Sequence, residues 1–250
     1  MRLKQQVPPT EMLRLNAFCR AKAGTQLMFE YCAYSDEAGG FEIPLLAKLQ
    51  SYSIVVCTCV SAALLTAAGM PAGHFTHVFV DECGHATQPE VCIPLAVAPG
   101  AFVVLSGDPK QLGPIIRSKV AVDGGLAMSL LERLIGLPAY TRAGAVGPQS
   151  ASADFDPALI TMLVKNYRSH PAILDLPSRI FYMGRLEPCA DVNMREALCG
   201  WQGLPNRTQF PIAFHNVAGQ DMREGDSPSF FNPEEVNTLV QMSFSHSTCV

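Results

Sequence analysis

Residues 75–90 read FTHVFVDECGHATQPE, an apolar run that stops abruptly at two adjacent carboxylates, Asp81 and Glu82. The run HVFV is β-branched and aromatic, which suits a strand. In an open α/β sheet, ligands bind outside the carboxyl ends of the strands. A strand that finishes in two acids therefore delivers negative charge to the edge where ligands sit. The flanking text predicts the surrounding elements. Residues 52–60 (YSIVVCTCV) are apolar on both faces, as in a strand buried in a parallel sheet, and 61–70 (SAALLTAAGM) form a short helix ending at Gly69. After the acids, 87–98 (TQPEVCIPLAVA) form a helix with Thr87 as N-cap and Pro89 in its first turn. Residues 101–108 (AFVVLSGD) form the next strand, and 128–137 (MSLLERLIGL) set Met128, Leu131, Leu134 and Ile135 on one helical face. This alternation predicts an α/β fold with a doubly wound parallel sheet.

The chain has 250 residues, 48% hydrophobic and 16% charged, enough for one large or two modest cores and unlike a disordered chain. Its net charge of −4 gives nucleic acid no general attraction, so any such binding needs a local basic patch. No run reaches membrane-spanning length, and the N-terminal residues lack a signal-peptide core. Nine cysteines, an odd number without a secretion signal, read as free thiols of a reducing compartment. Cys57 and Cys59 would share one face of a strand, but no C-x-x-C pair accompanies them, and small buried core thiols are the simpler reading.

The remaining segments divide the chain. Residues 8–21 (PPTEMLRLNAFCRA) have helical apolar spacing, and 31–44 suggest a loop or hairpin between short strands. Residues 141–157, rich in Gly, Ala, Ser and Pro, interrupt the alternation. The expected organisation is a first domain over 1–145, a linker over 146–157 and a second domain over 158–250. In the second, 159–166 (LITMLVKN) and 210–217 (FPIAFHNV) read as strands, and 170–184 as a helix interrupted near Pro177. Residues 232–240 (NPEEVNTLV) open a helix with Asn232 as N-cap and Pro233 at N1.

Three stretches carry candidate chemistry. Asp81 can anchor Mg²⁺ as a hard oxygen ligand, and Glu82 can accept a proton from an attacking water. The simpler alternative is a strand running into a solvated loop. Residues 105–114 (LSGDPKQLGP) reach the same sheet edge and project Asp108, Lys110 and Gln111; Gln111 can bond a phosphate oxygen or a water. Residues 163–171 (LVKNYRSHP) offer Arg168 as a phosphate fork and Tyr167 as a stacking face.

Taken in order, VDE, SGDPKQLGP and NYRSHP resemble superfamily-1 helicases of the Upf-like branch, and within it the Armitage / Moloney-leukaemia-virus-ten group of RNA helicases. The stretches LPSRIFYMGRLEPCAD, FPIAFHNV and REGDSPSFFNPEE are similar to that group too. The resemblance implies two RecA-like domains, ATP and Mg²⁺ as cofactors, and single-stranded RNA as partner. It implies that Asp81 holds Mg²⁺, Glu82 activates water and Gln111 senses the γ-phosphate. Asp108 would belong to the nucleotide site, Arg168 would reach the γ-phosphate, Tyr167 would stack on adenine and Thr58 would contact the RNA backbone. It also implies RNA-silencing or messenger-decay proteins as partners and a cytoplasmic location that extends to ribonucleoprotein granules.

Two positions depart from the family pattern: Cys83 stands where alanine is usual, and His85 where many relatives have glutamine. No G-x-x-x-x-G-K-[ST] occurs, so the sequence reads as an internal piece with two incomplete RecA-like domains. The isolated chain is expected to lack ATPase activity, and its second half to be poorly stable alone. The alternatives are a non-catalytic interaction protein and a DNA helicase of the same superfamily.

Overall fold

The computed structural model describes residues 3–20, 26–35, 37, 39–140, 155–201, 204, 210–225 and 229–247. The chain divides into two compact units, Met1–Arg142 and Ala143–Val250. It is a mixed helix and strand protein with small parallel sheets. Residues 141–154, which hold most of the expected linker, lie outside the described residues. Among the described residues, no helix is long and apolar enough to cross a membrane.

The first unit opens with strand β1 (Met12–Arg14), followed by the hairpin β2 (Tyr34–Ser35) and β3 (Gly40–Phe41), helix α1 (Leu46–Leu49) and strand β4 (Ile54–Val56). β1 runs parallel to β4, with Met12 opposite Ile54 and Arg14 opposite Val56. This corrects the helix expected over 8–21. Met12 and Leu13 are adjacent yet 2% and 1% exposed, so both faces of the segment are buried. Two-sided burial of a strand leaves the same apolar spacing that reads as a helical stripe. The hairpin expected over 31–44 is present, with Tyr34 opposite Phe41 and Ser35 opposite Gly40.

β4 is also shorter than the strand expected over 52–60. Thr58 stops it: its Oγ1 accepts the Ser61 amide at 3.2 Å, and its carbonyl accepts the Ala62 amide at 3.1 Å. This local side-chain bond offers the backbone a turn instead of a ladder. Cys57 and Cys59 therefore do not share a strand face. A 3₁₀ turn (Val60–Ala62) leads into α2 (Ala63–Ala67). α2 ends as expected at Gly69, whose φ of +82° suits glycine. The amides of Gly69 and Met70 bond the carbonyls of Thr66 and Leu65, each at 3.0 Å, the Schellman pattern. Leu65 and Met70 then join Leu13, Leu15, Leu49, Ala62 and Val97 in one core cluster.

Strand β5 (His77–Val80), helix α3 (Gln88–Val97) and strand β6 (Phe102–Leu105) follow. β5 and β6 are parallel and in register from His77–Phe102 to Val80–Leu105. Thr87 precedes α3 as expected, and Glu90 reaches back to bond both the Thr87 amide at 2.9 Å and its hydroxyl at 2.8 Å. Val80, Cys83 and Val91 form a second core, against which Leu130 and Leu131 pack. Those leucines belong to α5 (Leu130–Ile135), which follows the short α4 (Lys119–Asp123). Ser129 caps α5 by accepting the Glu132 amide at 3.1 Å, so Met128 lies outside the helix on which the spacing had set it.

The second unit contains β7 (Lys165–Asn166), α6 (Pro171–Phe181), β8 (Glu187–Pro188), α7 (Val192–Glu196), the hairpin β9 (Met222–Arg223) and β10 (Phe230–Phe231), and α8 (Pro233–Ser247). β7 and β8 are parallel. Three expectations need correction. The strand over 159–166 shrinks to its last two residues. Residues 210–217 form no strand, because no described segment pairs with them. α6 runs unbroken through Pro177. The His170 ring caps its start by accepting the Ala172 amide at 3.1 Å, and buried Leu174 and Ser178 anchor it on either side of the proline. α8 begins as its sequence predicts, with Asn232 Oδ1 accepting the amides of Glu234 at 3.1 Å and Glu235 at 3.3 Å.

Candidate nucleotide and nucleic-acid sites

The carboxyl ends of β5 and β6 build the first site. Past Val80 the chain turns sharply. Glu82 adopts a left-handed φ of 52°, which costs a non-glycine residue about 1 kcal/mol or more. The turn exposes both carboxylates. Asp81 Oδ1 accepts the Glu82 amide at 3.0 Å, which orients the aspartate and leaves its second oxygen open. His85 closes the turn: its amide bonds the Glu82 carbonyl at 2.9 Å, and its Nε2 stands 3.6 Å from Glu82 Oε2. An imidazole thus stands beside the candidate base.

The loop after β6 is tied to this turn by its backbone. The Ser106 amide bonds the Val80 carbonyl, and the Cys83 amide bonds the Ser106 carbonyl, both at 2.8 Å. Two glycines permit the contact. A Cβ on Gly84 would lie 2.9 Å from the Asp108 carbonyl oxygen, and one on Gly107 would lie 3.0 Å from the Cys83 and Gly84 nitrogens. The structure therefore brings the DECG and SGDP loops together. Asp108 is half-buried and works inside its own loop: Oδ1 accepts the Lys110 amide at 2.9 Å, and Oδ2 accepts from Gln111 Nε2 at 2.9 Å. That bond aims the exposed Gln111 amide and leaves its Oε1 to accept from a water or another donor.

These groups suit Mg²⁺. Among the described residues no group of three His, Cys, Asp or Glu side chains gathers as a metal cage. One exposed carboxylate with an open oxygen is what Mg²⁺ needs when water and phosphate oxygens supply the rest. The nearby thiols are inert by comparison. Burial pushes Cys57 up to about 11, with Cys59 adding to the effect. Burial likewise raises Cys59 and Cys83.

Tyr167 and Arg168 lie in the second unit, just after β7. Asn166 Oδ1 accepts the Arg168 amide at 3.0 Å and the Ser169 amide at 2.8 Å, a tight turn that presents both side chains. Tyr167 is 69% exposed, leaving its ring face open.

Thr58 lies at the carboxyl end of β4, beside a cavity of about 300 Å³ that it lines together with Arg14, Arg20 and Ser61. Sequence reasoning missed Ser61, although the T-x-x-S spacing is that of a capping turn. It also missed the roles of Gly84 and Gly107, which depend on two loops distant in sequence.

Comparison with known proteins adds an independent finding. AAA-domain family models match residues 47–119 and 127–246. The chain is 45% identical over 237 residues to the human (Homo sapiens) protein named RNA helicase Mov10l1, covering 93% of this chain and 19% of that protein. It is 40% identical over 222 residues to helicase MOV-10 of Gallus gallus, covering 84% of this chain and 22% of that protein. It is 32% identical over 242 residues to the Drosophila melanogaster protein named Probable RNA helicase armi, covering 87% and 20%. The chain spans about a fifth of the length of these relatives.

Proposed function

We propose, for a chain that belongs to the Mov10l1, MOV-10 and Armitage group of helicases, that it supplies the hydrolytic acids, the γ-phosphate sensor and part of the RNA path of an ATP-dependent RNA helicase. In this reading the chain carries two RecA-like domains, over 1–145 and 158–250, joined by a linker at 146–157. Single-stranded RNA is the polymer moved. The setting is RNA silencing or messenger decay, in the cytoplasm and its ribonucleoprotein granules.

Each residue has a defined task. Asp81 would hold Mg²⁺, which when bound would supply neutralising charge for phosphoryl transfer. Glu82, held outward by its turn, takes the proton of the attacking water. Gln111, aimed by Asp108, offers Oε1 to that water or its amide to a phosphate oxygen. Arg168 grips the γ-phosphate with its planar fork, and Tyr167 stacks on the base. Thr58 meets the RNA backbone.

One observation carries the proposal: the mutual backbone bonds of the 81–84 and 106–108 loops, which hold two acids and an aimed amide at one sheet edge. The test is ATP hydrolysis by a polypeptide that joins this chain to a phosphate-binding loop. Turnover should rise with RNA and fall about 10²- to 10⁴-fold in Glu82→Gln. RNA-stimulated turnover that survives Glu82→Gln would remove Glu82 as the base.

A further inference from the structure

Glu82 holds a left-handed φ of 52° on a residue that is not glycine. Such a conformation persists only where the surrounding structure over-determines it. On one side the loop after β6 does so, through the bond from the Cys83 amide to the Ser106 carbonyl. The other side is α5. Leu130 and Leu131 pack against the core of Val80, Cys83 and Val91, and Cys83 directly follows Glu82. Leu131 meets the second loop as well: a Cβ on Gly107 would stand 3.2 Å from its Cδ2. Thr87 and the 1% exposed Ser129, the N-cap of α5, form an antiparallel bridge.

Gln88 locks this arrangement from outside. Its Nε2 donates to the Met128 carbonyl at 3.1 Å, and its Oε1 accepts from Arg133 Nη1 at 3.0 Å. One amide thus grips the chain on both sides of the Ser129 cap, using its donor and its acceptor at once. The guanidinium strengthens the second bond with its charge. Neither Gln88 nor Arg133 has a task at the nucleotide itself, so the pair can act on hydrolysis only through the turn that carries the acids.

We infer that Gln88 and Arg133 are positioning residues for hydrolysis, a clamp that holds α5 against Cys83 and so fixes the strained turn that presents Glu82. The inference rests on the helicase reading above and assigns two residues which that reading leaves without a role. Opening the clamp frees Cys83 to shift and the Glu82 turn to relax, which moves the carboxylate from its place. A misplacement of about 1 Å can lower a rate about 10²-fold.

Two measurements test it. In the 250-residue chain, hydrogen exchange at the His85 amide, which bonds the Glu82 carbonyl, should quicken about tenfold in Arg133→Ala. The Leu15 amide, bonded to Val56 beside the β1–β4 pair, should exchange as before. The second measurement is turnover by the polypeptide that joins this chain to a phosphate-binding loop. Arg133→Ala and Gln88→Ala should each lower kcat about 10- to 100-fold with KM for ATP unchanged. The double variant should lose no more than either alone, and Arg133→Lys should recover part of the loss. In the Glu82→Gln background Arg133→Ala should have no further effect, since the group it positions is gone; a scaffold role alone would lower turnover by one factor in both backgrounds. Should Leu15 protection fall in Arg133→Ala, Gln88→Glu decides: it keeps an acceptor for Arg133, loses the donor to Met128 and should show the same loss of kcat. Unchanged exchange at His85, wild-type turnover in the clamp variants, or an equal loss with and without Glu82 would overturn the clamp and leave the helicase reading standing. Turnover that survives Glu82→Gln, or no turnover in the unsubstituted polypeptide, would overturn that reading and the clamp with it.

Discussion

Replacing Gly84 with alanine tests the contact on which the proposed hydrolytic site depends. The new Cβ would stand 2.9 Å from the Asp108 carbonyl oxygen. A relaxed carbon–oxygen contact is about 3.3–3.6 Å. Relief therefore requires one loop to retreat by about 0.4 Å. The obstacle is backbone on a segment pinned by the Cys83–Ser106 and Ser106–Val80 bonds, so no side chain can swing aside. Overpacking of this kind costs about 1–3 kcal/mol. Alanine also narrows the unfolded ensemble, offsetting about 0.4–1 kcal/mol. The net expectation is a loss of about 1–2 kcal/mol, or roughly 5- to 30-fold in the local opening equilibrium. Native-state hydrogen exchange by mass spectrometry should show that loss of protection at the amides of Cys83 and Ser106. Gly200→Ala, where a Cβ would meet nothing within 4 Å, should leave protection at those amides unchanged. Unchanged or increased protection at Cys83 in Gly84→Ala would refute the close approach of the two loops.

Two further outcomes follow from the same structure. Glu90→Ala removes the acceptor for the Thr87 amide and hydroxyl, and should destabilise α3 by about 1 kcal/mol, read as faster exchange across residues 88–92. Cys57 deprotonates near 9.0 in the unfolded chain and about 11 when folded, so the folded state loses stability as pH rises through that window. Iodoacetamide should accordingly modify exposed Cys19 and Cys92 before Cys57 near neutral pH, and the Cys57 rate should still be climbing at pH 10 by peptide mapping.

Much of the candidate site was legible because its signals are local. An apolar run that stops at charge marked the ends of β5 and β6. Thr87 with Glu90, and Asn232 before Pro233, marked helix starts through their own hydrogen bonds. What escaped was non-local or ambiguous in period. β1 hid as a helix because Met12, Leu13 and Leu15 are buried on both faces of a strand. β4 ended early because one hydroxyl, on Thr58, bonded Ser61. Pro177 suggested a break, but Leu174 and Ser178 hold α6 through it. Gly84 and Gly107 gained meaning only when two distant loops met.

The central claim is that the acids at 81 and 82, the amide at 111 and the guanidinium at 168 serve one bound triphosphate. A crystal structure of a polypeptide joining this chain to a phosphate-binding loop, with Mg²⁺ and a non-hydrolysable ATP analogue, measures this directly. The account predicts Mg²⁺ coordinated through Asp81 or a water it holds, with Gln111 and Arg168 about 3 Å from γ-phosphate oxygens. A triphosphate seated away from Asp81, or an Arg168 side chain turned from it, would contradict the account.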